Sequence, residues 1–215
     1  MRKKEERKNV SLRRRQQSKQ PYDLVLIVCE GAKTEPDYFK ALRNELRLSN
    51  TNIHICGKEC GSAPNSVVEH ALQIFQKNPD YDRVFCVFDK DRHETYQIAL
   101  DKIKSSKFRG RSVIKAITSV PCFEFWLLLH FEDSAHYYVP AGKNSACDQV
   151  VRDLKKHLPD YEKGAEDILN QTYPLIDQAV KRADLLEKRQ EGAETDNPST
   201  KVHYLVAYLR NLKME

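Results

Sequence analysis

The strongest pattern along the chain is an unbroken apolar run, Leu24 to Cys29, that stops abruptly at Glu30-Gly31. Six apolar residues without polar alternation predict a strand covered on both faces, here Asp23 to Cys29. Arg83 to Phe88 repeats the pattern and stops at Asp89-Lys90-Asp91. Helical spacing of Tyr38, Phe39, Leu42 and Leu46 predicts a helix over about Glu35 to Leu48. Val67, Val68, Ala71, Leu72 and Phe75 mark a second helix, ended by Asn78-Pro79-Asp80. A third covers about Thr95 to Lys104, and Asn52–Cys56 and Val113–Thr118 predict two more strands. The order β-α-β-α-β-α-β with short connections specifies a parallel sheet flanked by helices, of four strands on this reading.

Beyond the fourth strand the pattern changes. Phe123 to Phe131 is apolar almost throughout and predicts a buried helix, and from about Ala146 the chain is helical and richly charged. The last helix carries Val202, Leu205, Val206, Leu209 and Leu212 on one stripe, with Asn197 and Ser199 as candidate caps. Thr34, with Asp37 three residues on, predicts a capping-box-like start for the first helix. The expected organisation is a basic, flexible tail over 1–20, an α/β core over 21–133, and a helical extension over 134–215.

Composition adds two constraints. At 215 residues, 40% hydrophobic and 31% charged, the chain resembles an ordinary soluble protein, with no run long enough to span a membrane. The N-terminal residues lack the apolar segment of a secretory signal, so a cytoplasmic location is expected. Cys29, Cys86 and Cys122 then read as reduced core residues. Cys56 and Cys60 make only half of a zinc site and read as a reduced pair. The net charge of +5 is unevenly spread: residues 1–20 hold nine Lys or Arg against two Glu, which leaves the remainder at −2. Such a tail fits nucleic-acid contact, or simple solvation.

The candidate chemistry lies where the strands end. Parallel strands place their carboxyl ends on one edge, which brings Glu30 and Asp89 together, with Asp91 two residues beyond. Three carboxylates in a small volume need a counter-charge, and Mg²⁺ or Mn²⁺ supplies it with oxygen coordination. Glu35 is a candidate outer ligand, or a favourable charge on a first helical turn. Glu124, in the first turn of the helix after the fourth strand, is a candidate cluster member or a structural cap. Lys33 and Lys90 flank the acids and are placed to offset phosphate charge, or are solvated. His130 reads as a core residue; His203 stands near phosphate at a helix start or packs inside, and His93 is near the acids or simply exposed. No Walker loop and no Gly-x-Gly-x-x-Gly occurs, so ATP hydrolysis by this chain is not expected.

A strand ending in Glu-Gly, followed two βα units later by a strand ending in Asp-x-Asp, resembles the Toprim domain of topoisomerases, primases and nucleases of the OLD type. More of the chain is similar to the RloB-like family of prokaryotic defence proteins. The resemblance is carried by Val28–Phe39, Val87–Arg92, Pro121–Glu132 and Asn197–His203, with Ser119-Val120-Pro121 where that family has Ser-Asn-Pro. It implies a Toprim-like, Rossmann-like core and a metal-dependent nuclease, for which the residues themselves offer Glu30, Asp89, Asp91, Glu124 and Lys33 as candidate catalytic residues. Glu30, Asp89, Asp91 and Glu35 would be its metal ligands. It also implies a nucleic-acid substrate, DNA or RNA including tRNA, and a partner ATPase of the RloA type in abortive infection. A nucleotidyl-transfer or small-nucleotide enzyme, and a catalytically silent module docked on the ATPase, are the alternatives.

Overall fold

A computed structural model describes residues 23–57, 59, 61, 63–90, 94–106, 113–165, 167–193 and 195–212. The basic tail, Cys60, Asp91 and His93 lie outside the described residues. Strands β1 (Val25–Cys29), β2 (Ile53–Cys56), β3 (Arg83–Asp89) and β4 (Val113–Val120) alternate with helices α1 (Thr34–Glu45), α2 (Pro64–Lys77) and α3 (Tyr96–Ser105). The sheet order is β2-β1-β3-β4-β5, with the first four strands parallel. This is a mixed α/β fold of Rossmann-like type.

Four strands were expected and five are present among the described residues. The fifth, β5 (Ser199–Thr200), runs antiparallel to the end of β4, pairing Ser119 with Thr200 and Val120 with Ser199. Two residues carry no readable alternation, so the periodicity that found the other strands could not find this one. Ser199 is therefore a strand residue rather than a helix cap. Asn197 clamps a distant segment instead: its Oδ1 accepts from the Tyr138 amide at 3.2 Å and its Nδ2 donates to the Tyr138 carbonyl.

Burial on both faces follows from alternation along β1. Val25, Ile27 and Cys29 enter a large core with Tyr38, Phe39 and Leu42 of α1 and the C-terminal helices. Leu26 and Val28 enter a second core with Val67, Val68 and Ala71 of α2 and Ala99 of α3. The first core is extended by α4 (Glu124–Leu128), α5 (Ala146–Leu154), α6 (Ile168–Thr172), α7 (Ile176–Gln190) and α8 (Val202–Asn211). The apolar stretch Phe123–Phe131 is thus a five-residue helix followed by turns, all buried through His130. Trp126 at its centre donates from Nε1 to the Tyr38 hydroxyl at 3.0 Å, locking α4 to α1.

Two local expectations are corrected. Thr34 is the first residue of α1 rather than its cap, and no side chain caps that helix; Asp37 pairs instead with Lys40 at 3.1 Å. Cys122 is joined to Cys147 by a disulfide, tying the residue two before α4 to the second residue of α5. Cys29 and Cys86 are buried and Cys56 is half-buried. Among the described residues no helix is long and apolar enough to cross a membrane.

Candidate metal centre

Strands β1 and β3 are hydrogen-bonded neighbours in register, Cys29 opposite Val87, so the residues that follow them emerge side by side. The Glu30 amide donates to the Val87 carbonyl at 2.9 Å, extending the ladder by one residue. In return Glu30 Oε2 accepts from the Asp89 amide at 3.0 Å, which fixes the Glu30 carboxylate against the end of β3. Asp89 Oδ2 in turn accepts from the Phe123 amide at 3.1 Å, the residue just before α4. The convergence expected from strand polarity is therefore real, and it is held by backbone amides.

Two further acids close on the same place. Glu35, one residue into α1, is 8% exposed, and Glu124, the first residue of α4, is 3% exposed. Burial raises the Glu35 carboxyl to about 7, with Glu124 and Glu30 adding repulsion. Burial likewise holds Asp89 well above the ordinary carboxylate range, and Glu35, Glu124 and Glu30 push it further. Glu35 and Asp89 resist ionisation chiefly because they are buried, and the acids around them add to it. A divalent cation would relieve all of them, and oxygen donors in this charge excess fit Mg²⁺ or Mn²⁺. Asp91, the remaining expected ligand, lies outside the described residues.

A positive charge reaches the buried Glu124 from an exposed lysine in a segment that sequence reasoning missed. Lys163 Nζ lies 3.4 Å from Glu124 Oε1. Burial lowers its affinity for a proton, but Glu124, Asp89 and Glu35 outweigh that and leave its pKa raised. The Tyr161 hydroxyl donates to the same Glu124 oxygen at 3.2 Å. The turn carrying them is anchored to α1 by the Gly164 amide, which donates to Thr34 Oγ1 at 3.0 Å. Gly164 has φ +81°, and a Cβ there would sit 2.9 Å from Lys33 Cδ. Glycine is required at this turn by both backbone and contact.

The expected lysines divide. The Lys33 stem packs on Gly164 while the residue is exposed at the start of α1. Lys90 pairs with Asp196, at 2.7 Å, and lies over the Tyr96 ring. His130 is a core residue: Nδ1 donates to the Trp126 carbonyl at 3.0 Å and burial lowers its pKa to about 4. His203 is 1% exposed within α8, facing Asp184 and Glu187 of α7.

The pattern of acids on strand ends, the long buried Phe123–Leu129 segment and the Asn197-Pro198-Ser199-Thr200 return are features that a family comparison can test together. The family model for RloB-like protein matches residues 25–209. The chain belongs to the RloB-like family. That match spans β1 through most of α8, and so takes in Glu30, Glu35, Asp89, Glu124 and Lys163. Searches of curated proteins and of solved structures found no match.

Within this RloB-like chain a second donor set stands beside the acids. Among the described residues, Cys122, Glu124 and Cys147 bring three ligand atoms within 4.8 Å of one another, all three residues being buried. Neither cysteine was singled out as a ligand from the sequence, because 25 residues and a change of element separate them.

Proposed function

We propose that this chain is a Toprim-type phosphodiesterase that hydrolyses nucleic acid with Mg²⁺ or Mn²⁺, as the effector of an anti-phage system with a partner ATPase of the RloA type. The observation that carries this reading is the mutual bracing of Glu30 and Asp89 across adjacent parallel strands, with Glu35 and Glu124 beside them. A fold has no need for four mutually repelling carboxylates, whereas phosphoryl transfer does.

The residues support defined roles. Asp89, with Asp91, would hold the cation, and Glu30 and Glu35 are the further donors. When bound, the cation polarises the phosphoryl oxygen and lowers the pKa of a coordinated water. Glu30 is pinned by the Asp89 amide, so its carboxylate has a fixed place from which to take a proton from the attacking water or return one to the leaving oxygen. Lys163 offsets Glu124 and lends positive charge beside the cluster, where Lys33 and Lys90 were the lysines expected from the sequence. The strand-end rim is where open α/β sheets admit ligands, which suits an extended phosphodiester chain.

Incubation of the full chain with plasmid, total RNA and tRNA, under Mg²⁺, Mn²⁺ or EDTA and with or without the ATPase, tests the reading. Cation-dependent cleavage lost in Glu30→Gln and Asp89→Asn supports it. Tight association with the ATPase without cleavage of any substrate replaces it with a docking role.

A further inference from the structure

Cys122 and Cys147 are bonded in this structure and border the main apolar core, yet the pair is also set against a buried acid. Glu124 Oε2 lies 3.4 Å from Cys147 Sγ, and Lys163 Nζ donates to that same sulfur at 3.4 Å. Three elements of the chain meet here: the turn after β4, the first residue of α4, and the start of α5. The three donor atoms fall within the span that one ion can bridge.

Charge distinguishes two states of this pocket. With the sulfurs bonded, Glu124 carries the one negative charge of the trio, and Lys163 at 3.4 Å answers it. With both sulfurs as thiolates the trio carries three negative charges against the same single ammonium, an excess of two. A divalent cation cancels that excess. Two thiolates and a carboxylate are a donor set suited to a borderline-soft ion such as Zn²⁺ and ill-suited to Mg²⁺.

We propose that Cys122, Cys147 and Glu124, once the disulfide is reduced, form a binding site for a thiophilic divalent cation of the Zn²⁺ class, separate from the strand-end site of Glu30 and Asp89. A dithiol reductant opens the bridge, passing two electrons and two protons to the sulfurs and leaving as its own disulfide. Cation binding then ionises both thiols and releases the two protons to solvent. Oxidation and metal occupancy are mutually exclusive states of one pocket. The site neighbours the strand-end acids through Glu124, which repels both Asp89 and Glu35. Its existence does not depend on nuclease activity.

Co²⁺ titration of the full chain provides the test, because thiolate-bound tetrahedral Co²⁺ gives intense visible bands and a sulfur-to-metal charge-transfer band. The chain is prepared fully reduced, or oxidised with the Cys122–Cys147 bridge verified by peptide mass mapping. The reduced chain is expected to develop these bands to one equivalent and to lose them on adding Zn²⁺, while the oxidised chain stays blank. Cys147→Ser and Cys122→Ser should each weaken Co²⁺ binding at least tenfold and change the bands. Asp89→Asn should leave them intact, separating this site from the strand-end site. Bands of equal intensity in the oxidised chain, their persistence in both cysteine variants, or their absence from the reduced, folded wild type would overturn the proposal. The oxidised and reduced wild types are compared directly, so the test stands even if one variant fails to fold.

Discussion

Gly31 is small because Glu35 occupies the space its side chain would fill: a Cβ there would overlap Glu35 Oε2. The obstacle is the tip of a flexible side chain, so Gly31→Ala should shift unfolding stability by less than about 1 kcal/mol while displacing the Glu35 carboxylate and weakening Mn²⁺ binding. Gly57 meets rigid neighbours instead, since its Cβ would lie 2.6 Å from the Gly31 carbonyl oxygen and 2.8 Å from Pro36 Cγ. Gly57→Ala should cost about 1–3 kcal/mol in a urea titration. If the two variants behave alike, the packing around the acids is misassigned. His130 gives a pH signature at the same scale. Its pKa of about 4 in the fold lies below the ordinary value of 6.5, so the folded state holds the ring neutral. The stability this contributes is present above about pH 6.5 and is lost as pH falls toward 4. The difference in unfolding free energy between wild type and His130→Leu should therefore move in favour of the variant across that window. A pH-independent difference would contradict the burial of a neutral imidazole.

Among elements, the strands that carry Glu30 and Asp89 were the most legible, because an acid directly after an unbroken apolar run is physically conspicuous and strand polarity does the rest. Glu124 was legible for a related reason, standing in the wake of β4. Lys163 and Tyr161 were not, since they arrive from an irregular segment between α5 and α6 with no periodic pattern, and only tertiary packing brings them to Glu124. The Cys122–Cys147 bond was hidden in the same way. Asn197, whose type suggests a cap, serves the Tyr138 backbone because β5 takes the place where a helix start was expected. One helix start does follow local rules. In α5 the Ser145 hydroxyl accepts from the Asp148 amide at 3.1 Å and Asp148 Oδ2 accepts from the Ser145 amide at 2.7 Å. Ser145→Ala should cost about 1 kcal/mol by thermal or urea unfolding, and a negligible change would show that α5 is held by its buried face alone.

For the whole molecule, charge is divided between a basic N-terminal segment of net +7 and a remainder of −2 that concentrates acids at one rim of the sheet. On the proposed function, that rim would repel a phosphodiester chain until a cation is bound, so nucleic-acid binding and cation occupancy should be coupled. Deleting residues 1–20 should weaken nucleic-acid binding and reduce the slope of log affinity against log salt, by at most about six if every net charge meets a phosphate; an unchanged slope would assign the tail to another role. The account as a whole rests on the strand-end acids capturing a divalent ion, and free Mn²⁺ measured by electron paramagnetic resonance reads this without any assumption about substrate. Titrated into the reduced full chain with Zn²⁺ saturating any thiolate site, wild type should deplete the free Mn²⁺ signal, and Asp89→Asn and Glu30→Gln should each bind at least about tenfold more weakly. A wild type that leaves the Mn²⁺ signal untouched, or variants that bind it equally well, would contradict the assignment of this rim as a metal centre.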